Sequence, residues 1–177
     1  MWTKYLKLPN FLRISSHDVE EILVSINLKK DAKVLDVGCA YGRISLFLKN
    51  QGYNVITIDN NKKMVKFTKN LGIRTFLMDA AKPSLKENSF DLVVTDGLLE
   101  HFKNPDKILR EESRMTKKYV VNFIPQNTKI NKILEVFQGT PKVYWRSKNY
   151  WLQKHKRYFK KVFTRKLLRL ETYLCEG

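Results

Sequence analysis

The stretch Lys33-Val34-Leu35-Asp36-Val37-Gly38-Cys39-Ala40-Tyr41-Gly42 decides how the rest of the chain is read. Its first five residues are an apolar run around one acid, too brief for a helix and ended by Gly38, which is the pattern of a strand buried on both faces. Gly38 and Gly42 then permit a tight turn and a close approach of backbone to a ligand. After the turn Ile44, Phe47 and Leu48 repeat at helical spacing, and Gly52 stands where a helix favours a left-handed residue after its last turn.

The same alternation runs outward on both sides. Before the strand, Ser16 precedes Val19, Ile22, Leu23 and Ile26, one face of a leading helix with Asp18 and Glu20 near its positive end. After it, strands are predicted at Asn54–Ile58, Thr75–Met78, Phe90–Thr95 and Lys118–Ile124, the last stopped by Pro125. Helices fall between them, around Met64, Val65, Thr68 and Leu71, and around Ile108, Leu109 and Met115. Five strands apolar on both faces and separated by helices call for a parallel sheet with right-handed crossovers and helices on both sides. The fold class is α/β, a Rossmann-like doubly wound sheet. Further on, Ile130, Ile133, Leu134 and Phe137 space a helix closed by Gly139. Trp151, His155, Tyr158, Phe159 and Val162 space another with an aromatic core face. Leu168, Leu170, Thr172 and Leu174 alternate with polar residues and predict an antiparallel strand on the sheet edge.

The chain has 177 residues, 43% of them hydrophobic and 29% charged, enough for one core and too few residues for two ordinary domains. A single domain over 1–177 is expected: a helical lead-in at 1–30, a ligand-binding core at 31–125, and a basic region at 126–177, with a seam only near Pro141. No run approaches the roughly 18–20 apolar residues of a membrane span, and Met1–Arg13 lacks the apolar stretch of a signal peptide. The two cysteines, Cys39 and Cys175, are far apart and suggest neither a disulfide framework nor a thiolate metal site. A cytoplasmic protein without a metal is the expectation.

Ligands of open parallel sheets lie beyond the carboxyl ends of the strands, where strand order reverses. An acid sits at four such ends: Asp36, Asp59 followed by Asn60, Asp79 followed by Ala80, and Asp96 before Gly97. Asp59 lies 21 residues after Gly38, where a carboxylate can accept both hydroxyls of a ribose. Asp79 with Ala80 suits a purine amine beside small walls. The Gly-x-Gly-x-x-Gly turn of nicotinamide dinucleotide enzymes is absent, because Ala40 occupies its second position.

At these residues the chain resembles the class I S-adenosylmethionine-dependent methyltransferases, in particular the small subgroup with a strand-one pattern like Val-Leu-Asp-x-Gly-Cys-Gly-x-Gly, here Val34 to Gly42. The resemblance extends to Asp59, to Asp79-Ala80, and to the run Leu99-Glu100-His101-Phe102 with Pro105, and covers about residues 30–125. It implies S-adenosyl-L-methionine as cofactor. The cofactor-binding set is then Asp36, Gly38, Cys39, Ala40, Gly42, Asp59, Asn60, Asp79, Ala80 and Asp96, with the methionine end near Asp36 and Gly38. Ala40 stands where the family usually has Gly. Methyl transfer is an in-line displacement that needs alignment more than a base. If the acceptor carries a proton, His101, Glu100 or Asp96 is the candidate catalytic group.

The acceptor is open at this point. The formal net charge is +17, from 34 Lys and Arg against 17 Asp and Glu. Between Lys142 and Arg169 there are 11 bases and no acid. That density either marks an RNA-binding face, with Lys154, Arg157 and Lys161 expected on one side of a helix and Trp145 and Tyr150 available for stacking, or is solvated surface. RNA or another polyanion, a small metabolite, a lipid or a protein side chain are the acceptors to separate. A cofactor-binding subunit without catalysis is the alternative to an enzyme.

Overall fold

The computed structural model describes residues 16–138, 141–167 and 170–177. Its elements follow the predicted alternation: α1 Ser16–Ser25, β1 Lys33–Val37, α2 Arg43–Asn50, β2 Asn54–Asp59, α3 Lys62–Asn70, β3 Arg74–Leu77, β4 Phe90–Asp96, α4 Asp106–Met115, β5 Thr116–Pro125, α5 Lys129–Gln138, α6 Lys148–Lys156, β6 Lys161–Lys166 and β7 Leu170–Glu176. A single 3-10 turn, Leu99–His101, lies between β4 and α4. The seven strands form one sheet in the order β3-β2-β1-β4-β5-β7-β6. The first five are parallel, and β7 runs antiparallel to both β5 and β6. Strand order reverses between β1 and β4, so the crevice lies above Asp36–Gly38 and Asp96–Gly97.

Alternation along the strands sends side chains into two cores. On one face Leu35, Val37, Val93, Val120 and Ile124 pack with Ile108, Leu109 and Met115 of α4 and with Trp151 and Phe159 around α6. On the other, Val34, Val55, Leu92, Val94 and Phe123 meet Val19, Ile22, Leu23 and Ile26 of α1 and Ile44 and Leu48 of α2. This burial on both faces is why the parallel strands read as nearly unbroken apolar runs. Among the described residues no helix is long and apolar enough to cross a membrane.

Two expectations for the C-terminal third are corrected. The helix carrying Trp151 and His155 ends at Lys156, and Val162 belongs to β6 instead. Positions 158, 159 and 162 still face the same core, because a turn followed by a strand can bury residues at spacings that mimic a helix. The strand that includes Leu170 is antiparallel as expected but lies second from the edge, and the edge position belongs to β6. Gly139, Leu168 and Arg169 fall outside the described residues, as do residues 1–15 of the lead-in.

A buried polar network joins β4, β5, α4 and α6. His155 is fully buried, and its Nδ1–H donates to the Trp151 carbonyl at 2.7 Å, because a carbonyl only accepts. That fixes the tautomer, so Nε2 accepts from Asn122 Nδ2 at 3.0 Å. The second proton of the same amide goes to Glu112 Oε2 at 3.0 Å, and Asn122 Oδ1 accepts from Thr95 Oγ1 at 2.7 Å. The His155 ring stacks on Tyr173 with centroids 4.5 Å apart and planes 11° from parallel. Burial pushes His155 down to about 4, and pushes Glu112 up to about 8 against the opposing pull of Asn122. Both groups are therefore neutral near pH 7, which is how the interior avoids an unpaired charge.

The signs of these shifts set a pH profile. Unfolded His155 gains a proton below about 6.5 that the folded protein refuses, so its contribution is lost as pH falls through 4. Folded Glu112 keeps a proton that the unfolded chain releases above about 4.5, so its contribution is lost as pH rises through 8. The two slopes oppose each other between those limits and leave the glutamate alone between about 6.5 and 8. Glu112→Gln, which has no proton to release in the unfolded chain, should lose less stability than the parent from pH 6.5 to 8. Thermal melts across that range measure it, and identical slopes would show that Glu112 does not titrate there.

Candidate active site

Asp36 is 2% exposed at the end of β1, and its Oδ2 accepts from Ser45 Oγ of α2 at 2.5 Å. Burial, reinforced by Asp96 and Asp59 and opposed by Ser45 and Arg43, pushes it up to about 7. The turn that follows is held by the Gly38 N–H on the Ile58 carbonyl at 2.8 Å and by the Gly42 N–H on the Cys39 carbonyl at 2.7 Å. Gly38 has φ +75, and a Cβ there would meet Leu98 Cδ1 at 2.9 Å. Gly42, also left-handed, would meet Thr68 Cγ2 at 2.8 Å. Both positions favour glycine on conformation, and a Cβ at either would also make the neighbouring side chain shift.

Asp59 ties the turn to its neighbours. Its Oδ2 accepts the Ala40 N–H at 3.0 Å and its Oδ1 the Asn61 N–H at 2.8 Å. Burial raises its pKa, and the amide bonds from Asn61, Ala40 and Asn60 pull it back. Acceptor capacity not taken by these amides remains for a hydroxyl ligand. Asn60 is exposed, and the neighbouring Asn61 caps α3 by accepting the Lys63 N–H at 2.9 Å. Asp79 is exposed just past β3, where its Oδ1 holds the Ala81 N–H at 2.8 Å, with Ala80 half-buried beside it. Cys39 is buried, and burial pushes its thiol up to about 12, so it packs as a neutral group.

Across the crevice, Asp96 pairs with Arg43 Nη2 at 2.5 Å. Arg43 is the crevice residue that sequence reasoning missed: it is the first residue of α2, and the only sequence signal was a cation directly after Gly42 in a loop ringed by acids. Glu100 is buried, its Oε2 has no hydrogen-bond partner, and burial with help from Asp96 pushes it up to about 8. It is protonated at neutral pH and can donate. His101 Nδ1 lies 3.1 Å from the Lys142 carbonyl, so it donates there and the lone pair sits on Nε2. The Tyr144 N–H donates to the Glu100 carbonyl at 2.8 Å. The segment Lys142–Ser147 is thereby strapped over the 3-10 turn. Arg146 holds the strap by donating to the Lys103 carbonyl at 2.8 Å while lying over the rings of Tyr144 and Tyr150.

The single helix face expected to carry Lys154, Arg157 and Lys161 does not form, because α6 ends at Lys156. Lys154 pairs with Asp106 at 2.6 Å and Lys161, in a strand, with Glu176 at 2.8 Å. Arg157 and Lys161 both lie beyond the end of the helix. Tyr150 is covered by Arg146 and Lys154 and edge-packed on Trp151, which removes its faces from stacking.

Comparisons with known proteins agree with this geometry. Residues 35–121 match the family model described as "Methyltransferase domain". The chain is 33% identical over 81 residues to the "Probable S-adenosyl-L-methionine-dependent methyltransferase TehB" of Haemophilus influenzae, covering 42% of this chain and 28% of the relative. It is 28% identical over 113 residues to the ubiquinone biosynthesis O-methyltransferase of Pelagibacter ubique, covering 61% and 46%. The chain thus spans less than half the length of these curated relatives. Its fold matches that of the magnesium protoporphyrin IX methyltransferase of Synechocystis, solved with bound SAH, at a TM-score of 0.73 and 14% identity over 91% of this chain and 81% of that one. Residues 35–121 thus form a methyltransferase domain similar to the class I S-adenosylmethionine-dependent methyltransferases, a class whose cofactor is S-adenosylmethionine.

Ala40 carries a strain that its neighbours explain. It has φ +46, whereas the other non-glycine residues with positive φ among those described are Asn27, Asp31 and Asn88, side chains that tolerate this conformation. Its amide and carbonyl are both engaged, by Asp59 and by Thr68 Oγ1 at 3.2 Å, and hold it there. Ala40→Gly should raise stability by about 0.5–1 kcal/mol. Denaturant unfolding checks this, and a loss of stability would mean that the methyl group packs favourably enough to offset the strain.

Proposed function

We propose that the chain transfers a methyl group from S-adenosylmethionine to a protic nucleophile, such as a hydroxyl, of a small acceptor that approaches beside the Leu99–His101 turn. The observation that carries the reading is the strap: Tyr144 on Glu100 and Lys142 on His101 close the acceptor side with aromatic and polar groups. The alternative of RNA as acceptor loses support with the engagement of Lys154 and Lys161 in ion pairs. The relatives named for small molecules favour the same choice.

The residues present fit the cofactor. Asp59, which accepts the Ala40 N–H on one oxygen, would hold the ribose hydroxyls, the turn Gly38–Gly42 would bring backbone close to the methionine end beside Asp36, and Asp79 with Ala80 would meet the adenine. Gly42, Cys39 and Asn60 shape the surrounding turn. Arg43 is placed to balance a carboxylate, with Asp96 as its resident counter-ion. When bound, the cofactor supplies an electrophilic methyl on a sulfonium. His101 takes the acceptor's proton at Nε2 while its Nδ1–H remains on the Lys142 carbonyl, which holds the ring in the required tautomer. Glu100, protonated, orients the acceptor as a donor and does not act as the base. Asp96 is held by Arg43 and serves the electrostatics of the crevice more than proton transfer.

Two measurements test this. Asp59→Ala should weaken cofactor binding by at least tenfold in isothermal titration, since two charge-assisted bonds of about 1.5–3 kcal/mol each are the most it can lose. Asp91→Ala should not, because Asp91 lies at the opposite end of the sheet and holds the Lys33 N–H. Equal binding by both variants would overturn the ribose assignment. His101→Gln should lower kcat by about 100-fold or more on an accepted substrate while leaving cofactor affinity intact. An unchanged kcat would reduce the site to alignment alone, and no turnover by the parent chain with any acceptor would favour a cofactor-binding subunit.

A further inference from the structure

Helix α5 leaves β5 at the carboxyl end of the sheet, the same end as the crevice. Among the residues of its first turn, Asn131 faces inward, 4% exposed, its Nδ2 donating to the Gln126 carbonyl at 2.7 Å and its N–H to Thr128 Oγ1 at 3.2 Å. Anchored there, the helix turns its other early residues outward: Ile130 is 65% exposed and Ile133 57%. Lys129 and Lys132 are exposed alongside them. The helix carries these two lysines and one acid, Glu135. Lys142, exposed at the start of the strap, adds a cation close by in sequence.

An exposed pair of isoleucines one turn apart, flanked by lysines, needs a partner that is apolar and anionic at once. A second copy of the chain does not suit, since each copy carries +17. RNA would take the lysines but has no use for two branched aliphatic side chains, which do not stack on bases. A bilayer rich in anionic headgroups satisfies both, with acyl chains for the isoleucines and phosphates for the lysines.

We propose that α5 docks the protein on an anionic membrane surface through Ile130 and Ile133, with Lys129 and Lys132 at headgroup level. The helix lies in the interface and does not span it. Docking places the carboxyl end of the sheet, and so the approach to the Leu99–His101 turn, at the lipid boundary. The proposal stands apart from the identity of the methyl acceptor, and its test needs neither cofactor nor turnover.

The full chain is floated with phosphatidylcholine vesicles and with vesicles that also contain phosphatidylglycerol. It should bind the second at low salt, leave them as salt is raised, and bind the first weakly. Ile130→Ser with Ile133→Ser, both exposed and therefore compatible with folding, should weaken binding by about 10- to 100-fold. Lys129→Gln with Lys132→Gln should weaken it by about tenfold or more. As a direct reading, Ile133→Trp should add a component to the fluorescence that shifts to the blue with phosphatidylglycerol vesicles. No binding by the parent chain, full binding by the serine pair, or an unshifted tryptophan overturns the proposal. So does uptake by a structured RNA that the serine pair weakens, which would make the face a nucleic-acid surface.

Discussion

The carboxylate of Asp59 accepts two backbone N–H groups, one from the turn after β1 and one from the start of α3. Through these bonds the ends of two strands and one helix are fixed relative to each other, and the crevice takes its shape from that junction. Ala40 is kept left-handed by it, and Gly38 can lie under Leu98 only because no Cβ intervenes. The carbonyl of Asp59 also accepts the Met78 N–H at 3.0 Å and brings in the end of β3. One acid therefore organises three of the strand ends that a ligand must meet.

The charges around this junction are balanced in two ways. Arg43 and Asp96 compensate each other directly. Asp36 and Glu100 are buried, and they meet the cost of burial by holding a proton over part of the neutral range. The interior beneath α4 and α6 applies the second solution throughout. Glu112 and His155 are both neutral there, and one amide, that of Asn122, serves both.

The five parallel strands were legible because burial on both faces writes a short apolar run into the sequence, and the acids at their ends were legible because each directly follows such a run. Asp36, Asp59 and Asp96 are brought together as that reading expects. What escaped it is non-local. The Arg43–Asp96 pair joins residues 53 positions apart, and the Glu112–Asn122–His155 network draws one residue from each of three elements, none of which carries a local mark. The boundary between α6 and β6 failed for a different reason. Positions 151, 155, 158, 159 and 162 do share a core face, so the hydrophobic signal was real while the backbone beneath it changed from helix to strand.

The position of β7 has a consequence for how the sheet is assembled. Among the described residues β6 pairs only with β7, from Lys166 with Glu171 out to Lys161 with Glu176, whereas β7 reaches β5 through pairs such as Pro125 with Leu170. The first set closes short loops and the second closes loops several times longer, each doubling of which costs about 0.6 kcal/mol in chain entropy. The two strands thus form a local ribbon whose internal pairing is inexpensive, and the expensive closure is made once, along β5. Tyr173 and Cys175 ride into the core on that single closure. The edge strand is a passenger of its neighbour: whatever loosens β7 from β5 releases β6 with it.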